Sequence, residues 1–352
     1  MWSWNRKWLF TALIFLFFAT CSLLFASLIS KGNCPEIKDE AQEEYLAVSD
    51  LTPFLDNPLD FDQLFGKKFV FFLESSGRGQ LDARDVCSIE AATSLNPKVN
   101  FILIFSNEVQ KINSTRNPAL KKLLSKARNL ILATVKNIEV VKGTPLEATS
   151  TNKFLETKFP VEHLSDFLRL GLLWKLGGVY MDLDLLTFRN IDEILSLKNF
   201  LAADTKDKIN SCMMGFQRNH PFLKSIMDMV NKSYNPQVYS TVPRSLNLAT
   251  VDTFGMKVEE AINKGRVKDV HFLNYTVISP ITYENYFTLY DEMKGVLTEF
   301  MFKNSFGVHL WHSLGSKIKL KRTSTAAYAV VARKLCPRSF EIAGESFFNV
   351  II

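Results

Sequence analysis

Asp182 and Asp184 stand two residues apart in the run Gly177-Gly178-Val179-Tyr180-Met181-Asp182-Leu183-Asp184. Side chains two apart on a strand share a face, so the alternation from Val179 to Leu186 puts both carboxylates on one side, with Tyr180 beside them. Two carboxylates at the end of a buried strand need a counter-charge. A hard divalent cation supplies one and can also hold a diphosphate. An isolated Asp-x-Asp carries little weight, because the tripeptide is common on exposed edges and at helix caps. Its setting gives it meaning: apolar helix, Gly-Gly, strand, then the carboxylates at the strand's C-terminal end, where α/β sheets place their ligands.

The helix in front positions a second charged pair. Leu164, Phe167, Leu168, Leu170, Leu172, Leu173 and Leu176 cover most of its surface, so it is largely buried. Ser165 is read as its N-cap or first-turn residue. Asp166 and Arg169 sit at i and i+3 on one side, and Gly177-Gly178 ends the helix. Asp166 and Arg169 either face a ligand or form an ion pair with each other.

Upstream, Phe69–Leu73 is a continuous apolar run suited to a strand buried on both faces. Turn residues 75–79, a helix over 82–95 and a second buried strand at Phe101–Phe105 complete a βαβ unit. The expected fold class is α/β with a mainly parallel sheet, in one domain spanning 61–352. Residues 31–60, with Gly32, Pro35, Pro53, Pro58 and an acidic run at 36–44, read as a stem.

From Trp8 to Ser30 the chain carries no charge. A helix of that length spans roughly 35 Å, enough for a hydrocarbon core of about 30 Å. It exceeds the usual apolar region of a cleaved signal peptide. We read 8–30 as a transmembrane signal anchor and 1–7 as a cytoplasmic tail. Arg6 and Lys7 precede the span, while Lys31 and Lys38 after it are offset by Glu36, Asp39 and Glu40, so the rest is expected to be lumenal. Three acceptor sequons, at Asn113, Asn231 and Asn274, agree with that compartment.

Composition excludes other classes. With 47% hydrophobic residues the chain can bury a large core, so it is not a disordered polymer. A net charge of +6, scattered rather than striped, argues against nucleic acid as a partner. The five cysteines form no CxxC or Cys/His cluster, which argues against structural zinc. An oxidising lumen permits disulfides, but spacing leaves their connectivity open.

The segment from Asp166 and Arg169 through Asp184 resembles the donor-binding signature of glycosyltransferases whose sugar-binding region contains a DxD motif. More narrowly, the chain resembles the lactosylceramide 4-alpha-galactosyltransferase and alpha-1,4-N-acetylglucosaminyltransferase family. The likeness covers Phe71–Ser76, Cys87–Ala92, Asn210 with Phe216–Phe222, Val308–Trp311 and Leu335–Pro337, over roughly residues 68–340. It implies a GT-A type fold in a single-pass type II membrane enzyme of the Golgi apparatus. It also implies a UDP-sugar donor, Mn²⁺, and transfer with retention.

Residue by residue, the resemblance implies Asp184 and Asp182 as metal ligands, with His309 completing the shell. Asp166, Arg169, Tyr180, Asp182 and Asn210 are implied on the donor, with Arg169 able to make two parallel bonds to phosphate. It implies a Cys87–Cys336 disulfide, with Cys212 reduced and buried and Cys34 as the alternative partner. The expected reaction moves galactose or N-acetylgalactosamine to a glycosphingolipid in alpha-1,4 linkage. The alternatives are a glycoprotein-directed alpha-1,4-N-acetylglucosaminyltransferase and a weak or inactive sugar-nucleotide-binding homologue. The second is prompted by Val242–Leu248, which keeps Pro243 but departs from the family's pattern, as does Ser211-Cys212 after Asn210. No carboxylate stands out as a nucleophile. Glu74, Asp204 and Asp252 are candidates by type alone. His163 is left without a role, and Trp311 and His312 are read as packing or acceptor-side residues.

Overall fold

The computed structural model describes residues 44–66, 68–106, 111–315 and 317–343. The predicted tail, the anchor at 8–30 and residues 31–43 of the stem lie outside them. Among the described residues no helix is long and apolar enough to cross a membrane.

The first strands in chain order are β1 (Tyr45–Leu46), β2 (Ser49–Asp50), β3 (Phe69–Glu74), β4 (Asn100–Phe105), β5 (Ile112–Asn113) and β6 (Leu130–Thr134). There follow β7 (Gly178–Met181), β8 (Leu185–Thr187), β9 (Phe200–Thr205), β10 (Lys208–Phe216), β11 (Arg266–Val267), β12 (Val270–Leu273) and β13 (Gly307–His309). Nine form one sheet in the order β11-β12-β9-β10-β7-β3-β4-β6-β2. The side from β7 to β2 is parallel, as expected of βαβ units. The other side is mixed: β12 pairs parallel with β9 and antiparallel with β11, and β10 runs antiparallel to both β7 and β9. The sheet is therefore mixed, with parallel pairings in the majority and an antiparallel portion around β10. The reason is local: only Lys206-Asp207 separates β9 from β10, and a link that short can only make a hairpin.

The sheet is buried on both faces. Phe69, Phe71 and Leu73 enter one core with Leu168, Leu172, Tyr180 and Met214, while Val70 and Phe72 enter the other with Ile89, Phe101, Leu103 and Met181. This alternation explains why β3 reads as an unbroken apolar run. Residues 44–60, read as stem, belong to the folded unit. The compact unit begins at Glu44, Ser49–Asp50 pairs with β6, and Leu51 and Leu55 are core residues. Prolines at 53 and 58 do not mark a linker: each sits in the first turn of a short helix, where proline is tolerated.

A third core cluster fixes the C-terminal segment to the helix Ala83–Leu95. Cys87 on that helix forms a disulfide with Cys336, while Cys212 is free and fully buried. Cys34 lies outside the described residues. One helical turn on, the buried Glu90 carboxylate accepts from the amide and hydroxyl of Ser339 at 2.8 and 2.7 Å, and from the amide of Arg338 at 3.1 Å. Cys87→Ser is therefore expected to cost about 2–5 kcal/mol. Denaturant midpoints compared at equal slope check this, and a midpoint unchanged from the non-reduced parent would count against a structural bridge.

Candidate functional site

Three elements converge on one point. The helix Pro160–Leu176 runs under the sheet and ends where Gly177 and Gly178 both take positive φ, at 71° and 88°. A side chain at Gly178 would lie 2.6 Å from the ring of Phe69, so only glycine allows β7 to pack beside β3. The helix begins earlier than expected, with Pro160 at its first position, so Ser165 is not a cap. The predicted strand 179–186 also breaks. β7 stops at Met181, a turn closed by the Leu185 amide on the Asp182 carbonyl (3.2 Å) carries Leu183 and Asp184, and β8 resumes at Leu185.

The break completes the site. β8 pairs antiparallel with β13, placing His309 opposite Leu185. His309 Nε2 lies 3.2 Å from Asp184 Oδ1 and 3.9 Å from Asp182 Oδ2. One ligand atom from each of Asp182, Asp184 and His309 lies within 4.8 Å of the others. The donor set of two carboxylates and an imidazole suits a divalent cation. The buried Nδ1 of His309 has no hydrogen-bond partner, while its Nε2 faces the Asp184 carboxylate. Trp311 packs at 4.0 Å between ring centroids and holds φ at 55°, an unusual conformation for a bulky residue, while its indole N–H donates to the Ile281 carbonyl at 3.0 Å.

Without a cation the cluster balances its charge with a proton. Burial disfavours the His309 cation, but Asp184 and Asp182 outweigh it and push the imidazole up to about 9. Burial likewise opposes ionisation of Asp184, yet His309 and the His312 amide (2.9 Å) hold it below the usual carboxylate range. Burial raises Asp182, with Arg169 opposing. A cation entering this cluster displaces the His309 proton, so binding at pH 7 is expected to release about one proton. Calorimetric metal titrations in buffers of different ionisation enthalpy measure that number, and no buffer dependence would remove His309 from the ligand set.

Arg169 is fully occupied within the protein. Its donors reach the Ser165 carbonyl (3.2 Å) and hydroxyl (2.8 Å) and the Ser211 carbonyl and hydroxyl (both 3.0 Å), and it pairs with Asp182 at 3.2 Å and Asp166 at 3.4 Å. Its guanidinium also lies 4.3 Å from the centroid of Tyr180, whose hydroxyl donates to Asp182. The ion pair between Asp166 and Arg169 read from the sequence is present, Arg169 also holds Asp182, and both residues of the pair line the cavity. A bulge in β10 between Asn210 and Met214 brings Ser211 under Arg169, and the Asp182 amide donates to the Cys212 carbonyl at 2.8 Å.

Asp166, Arg169, Tyr180, Asp182, Asp184, Asn210 and His309 all line one cavity of about 910 Å³. Of the three carboxylates named by type, Asp204 lines it, with a buried Oδ1 that has no partner. Glu74 is buried and accepts from the Ser76 amide at 2.8 Å, and Asp252 is exposed on the helix Thr241–Phe254. His163 is a satisfied core residue, bonded to Thr157, Tyr234 and the Val238 carbonyl. The divergent 242–248 stretch singled out in the sequence reaches the cavity through Pro243, Arg244 and Asn247. Arg244 is exposed at the cavity wall, and Asn247 pins the Ile209 backbone at 2.9 and 3.1 Å. The sequence reading missed Asp85, which lines the cavity 3.5 Å from His312 and which burial pushes up to about 6. A second, mainly apolar cavity of about 470 Å³ shares Ser75 and Val161 with the first, and Ile138, Val141, Phe154 and Phe167 line it.

Two family models match in tandem. Residues 82–201 match the glycosyltransferase sugar-binding region containing the DXD motif, and residues 215–343 match the alpha 1,4-glycosyltransferase conserved region. The chain belongs to the alpha-1,4-glycosyltransferase family. The DXD model ends on β9 and so spans both aspartates, while the second model contains His309 and Cys336. Among relatives, this family member is 24% identical to lactosylceramide 4-alpha-galactosyltransferase of Mus musculus over 79% of this chain and 77% of that one. It is 27% identical to alpha-1,4-N-acetylglucosaminyltransferase of Homo sapiens over 78% and 80%. Among solved structures, the galactosyltransferase LgtC in complex with donor and acceptor sugar analogs aligns at 14% identity and a TM-score of 0.38, over 76% of this chain and 96% of that one. The chain's own fold is α/β with one mixed sheet.

Proposed function

We propose that the protein is a retaining transferase that moves galactose or N-acetylgalactosamine from a UDP-sugar to a glycosphingolipid in alpha-1,4 linkage. The observation that carries this reading is the Asp182–Asp184–His309 cluster on the wall of a cavity large enough for a nucleotide-sugar. In the reaction the bond between the anomeric carbon and the β-phosphate oxygen breaks, its electron pair leaving with UDP. A bond to an acceptor hydroxyl oxygen forms, and the hydroxyl proton is lost. A divalent cation, Mn²⁺ in our reading, neutralises charge building on the diphosphate when bound. Asp182 and Asp184 would hold it with His309, and Arg169 and Tyr180 fix Asp182. The apolar cavity beyond Ser75, at the C-terminal ends of β3 and β6, suits the flat uracil ring. Asp204, Asn210 and Arg244 line the same cavity and offer polar groups to the sugars.

The relative that transfers N-acetylglucosamine is as similar as the galactosyltransferases, which keeps a glycoprotein-directed reaction as the second reading. A screen of UDP-galactose, UDP-N-acetylgalactosamine and UDP-N-acetylglucosamine against a glycolipid extract and a desialylated mucin, with product linkage determined, separates them. No UDP release from any pair would overturn both.

We further propose a type II Golgi membrane protein with a lumenal catalytic unit. The three sequons differ in access. Asn274 and Thr276 are exposed. The Asn231 amide donates to the Pro145 carbonyl and accepts from Thr149, so the nitrogen that would carry a glycan is already used. Asn274→Gln should remove one endoglycosidase-sensitive mobility step, and Asn231→Gln none. Mobility unaffected by endoglycosidase would contradict the glycosylation, and protease protection of tagged termini decides the orientation.

A further inference from the structure

The helix Gly295–Met301, with the turn Glu292–Lys294 before it, faces outward along an apolar stripe. Met293, Val296, Leu297 and Phe300 fall at i, i+3, i+4 and i+7, one helix face, and are 94, 85, 66 and 70% exposed. The opposite face is locked. A side chain at Gly295 would lie 2.0 Å from the Thr325 carbonyl, and Thr298 is buried, donating to the Thr288 carbonyl at 3.3 Å. The helix therefore cannot roll to hide the stripe.

The stripe leads to the cavity. Lys294 lies 4.8 Å from the centroid of the half-exposed Phe287, and Tyr283, four residues further back, packs edge-on to Trp311 at 5.9 Å and lines the cavity. Cations flank it. Lys317, Lys319, Lys321 and Arg322 are all exposed in the segment that links cavity residues His312 and Ser313 to Thr325 beneath the helix. Glu284 and Glu292 are exposed as well.

We propose that this stripe seats in the interfacial layer of a lipid bilayer, with the 317–322 cations against anionic headgroups. Apolar side chains on one helix face beside basic residues are the composition of an interfacial helix. The cavity mouth is then held at the membrane surface, where the sugar head of a lipid acceptor projects. That last step rests on the glycolipid reading above, whereas the bilayer contact does not.

The test uses the full-length chain reconstituted in phosphatidylcholine vesicles, with and without phosphatidylserine. An environment-sensitive dye is placed at Val296→Cys on a Cys21→Ser/Cys34→Ser background, with exposed Lys264→Cys as control, and brominated lipids as quencher. Quenching at 296 and none at 264 is expected. A Val296→Glu/Phe300→Glu variant should lose at least about tenfold in transfer to a vesicle-embedded acceptor. Its transfer to a water-soluble oligosaccharide with the same terminal sugar should be unchanged. No quenching at 296 beyond the control overturns the proposal, as does equal loss on both acceptors with a normal thermal midpoint. Cross-linking between two copies through position 296, in place of quenching, assigns the stripe to a dimer and also overturns it. A wild-type enzyme that transfers to no lipid contradicts the glycolipid reading, while the quenching still decides the bilayer contact.

Discussion

Asp184→Asn is expected to lower transfer by at least about 10²–10³-fold, the scale of losing one preorganised stabiliser of leaving-group charge. The carboxamide keeps the shape and can still accept from the His312 amide, so the fold around it should survive. It removes the charge that, with Asp182, keeps the His309 proton in place. Two pH effects follow. A group with a lowered pKa stabilises the fold above its unfolded pKa and loses that contribution as pH falls. The wild-type protein therefore loses the Asp184 contribution in acid, and the variant has none to lose. His309, raised to about 9, stabilises the metal-free fold fully below about 6.5, and this contribution fades as pH rises through 9. In the variant that fading should move to lower pH. Initial rates of UDP release at saturating Mn²⁺, with thermal midpoints from pH 4 to 10, check both parts. A full rate in the variant would sink the ligand assignment.

Arg169→Met should cost about 3–5 kcal/mol, because it leaves the carboxylates of Asp166 and Asp182 buried without their counter-charge. Activity should fall too, through misplacement of Asp182. Arg169→Lys keeps the charge but not the fork that bonds Ser165 and Ser211 at once, so an intermediate loss is expected. Arg169→Met/Asp166→Leu replaces one charged pair by packed apolar groups and should recover part of the stability while activity stays low. Urea midpoints at constant slope, together with kcat for each variant, separate the two roles. A cost below about 1 kcal/mol for Arg169→Met would mean that the pair is not holding the site.

Much of this site was legible because its signals are local. Gly177-Gly178 after an apolar helix, and two aspartates separated by a single residue, are short-range patterns, as is the βαβ unit from Phe69 to Phe105. The break at Asp182 was not legible. Alternation continues through Leu183 and Leu185, and the turn is imposed by tertiary partners: the Cys212 carbonyl takes the Asp182 amide, and the Asp184 carbonyl takes the Leu310 amide. The antiparallel portion of the sheet was hidden for a related reason. β10 is almost wholly buried, so its direction leaves no polar alternation to read. Asp204 and Arg244 reach the cavity only once β9 and the helix Thr241–Phe254 are packed, and no motif surrounds either. The commitment of Arg169 to Asp182 likewise depends on the β10 bulge that brings Ser211 beneath it.

The central claim is that Asp182, Asp184 and His309 bind a nucleotide diphosphate through a divalent cation. Calorimetric titration of UDP into the chelator-treated protein, repeated with saturating Mn²⁺, tests it most directly. We predict no measurable UDP binding without the metal and saturable one-site binding with it, lost in Asp184→Asn. Equal UDP affinity with and without Mn²⁺, or metal-dependent binding that survives Asp184→Asn, would contradict it.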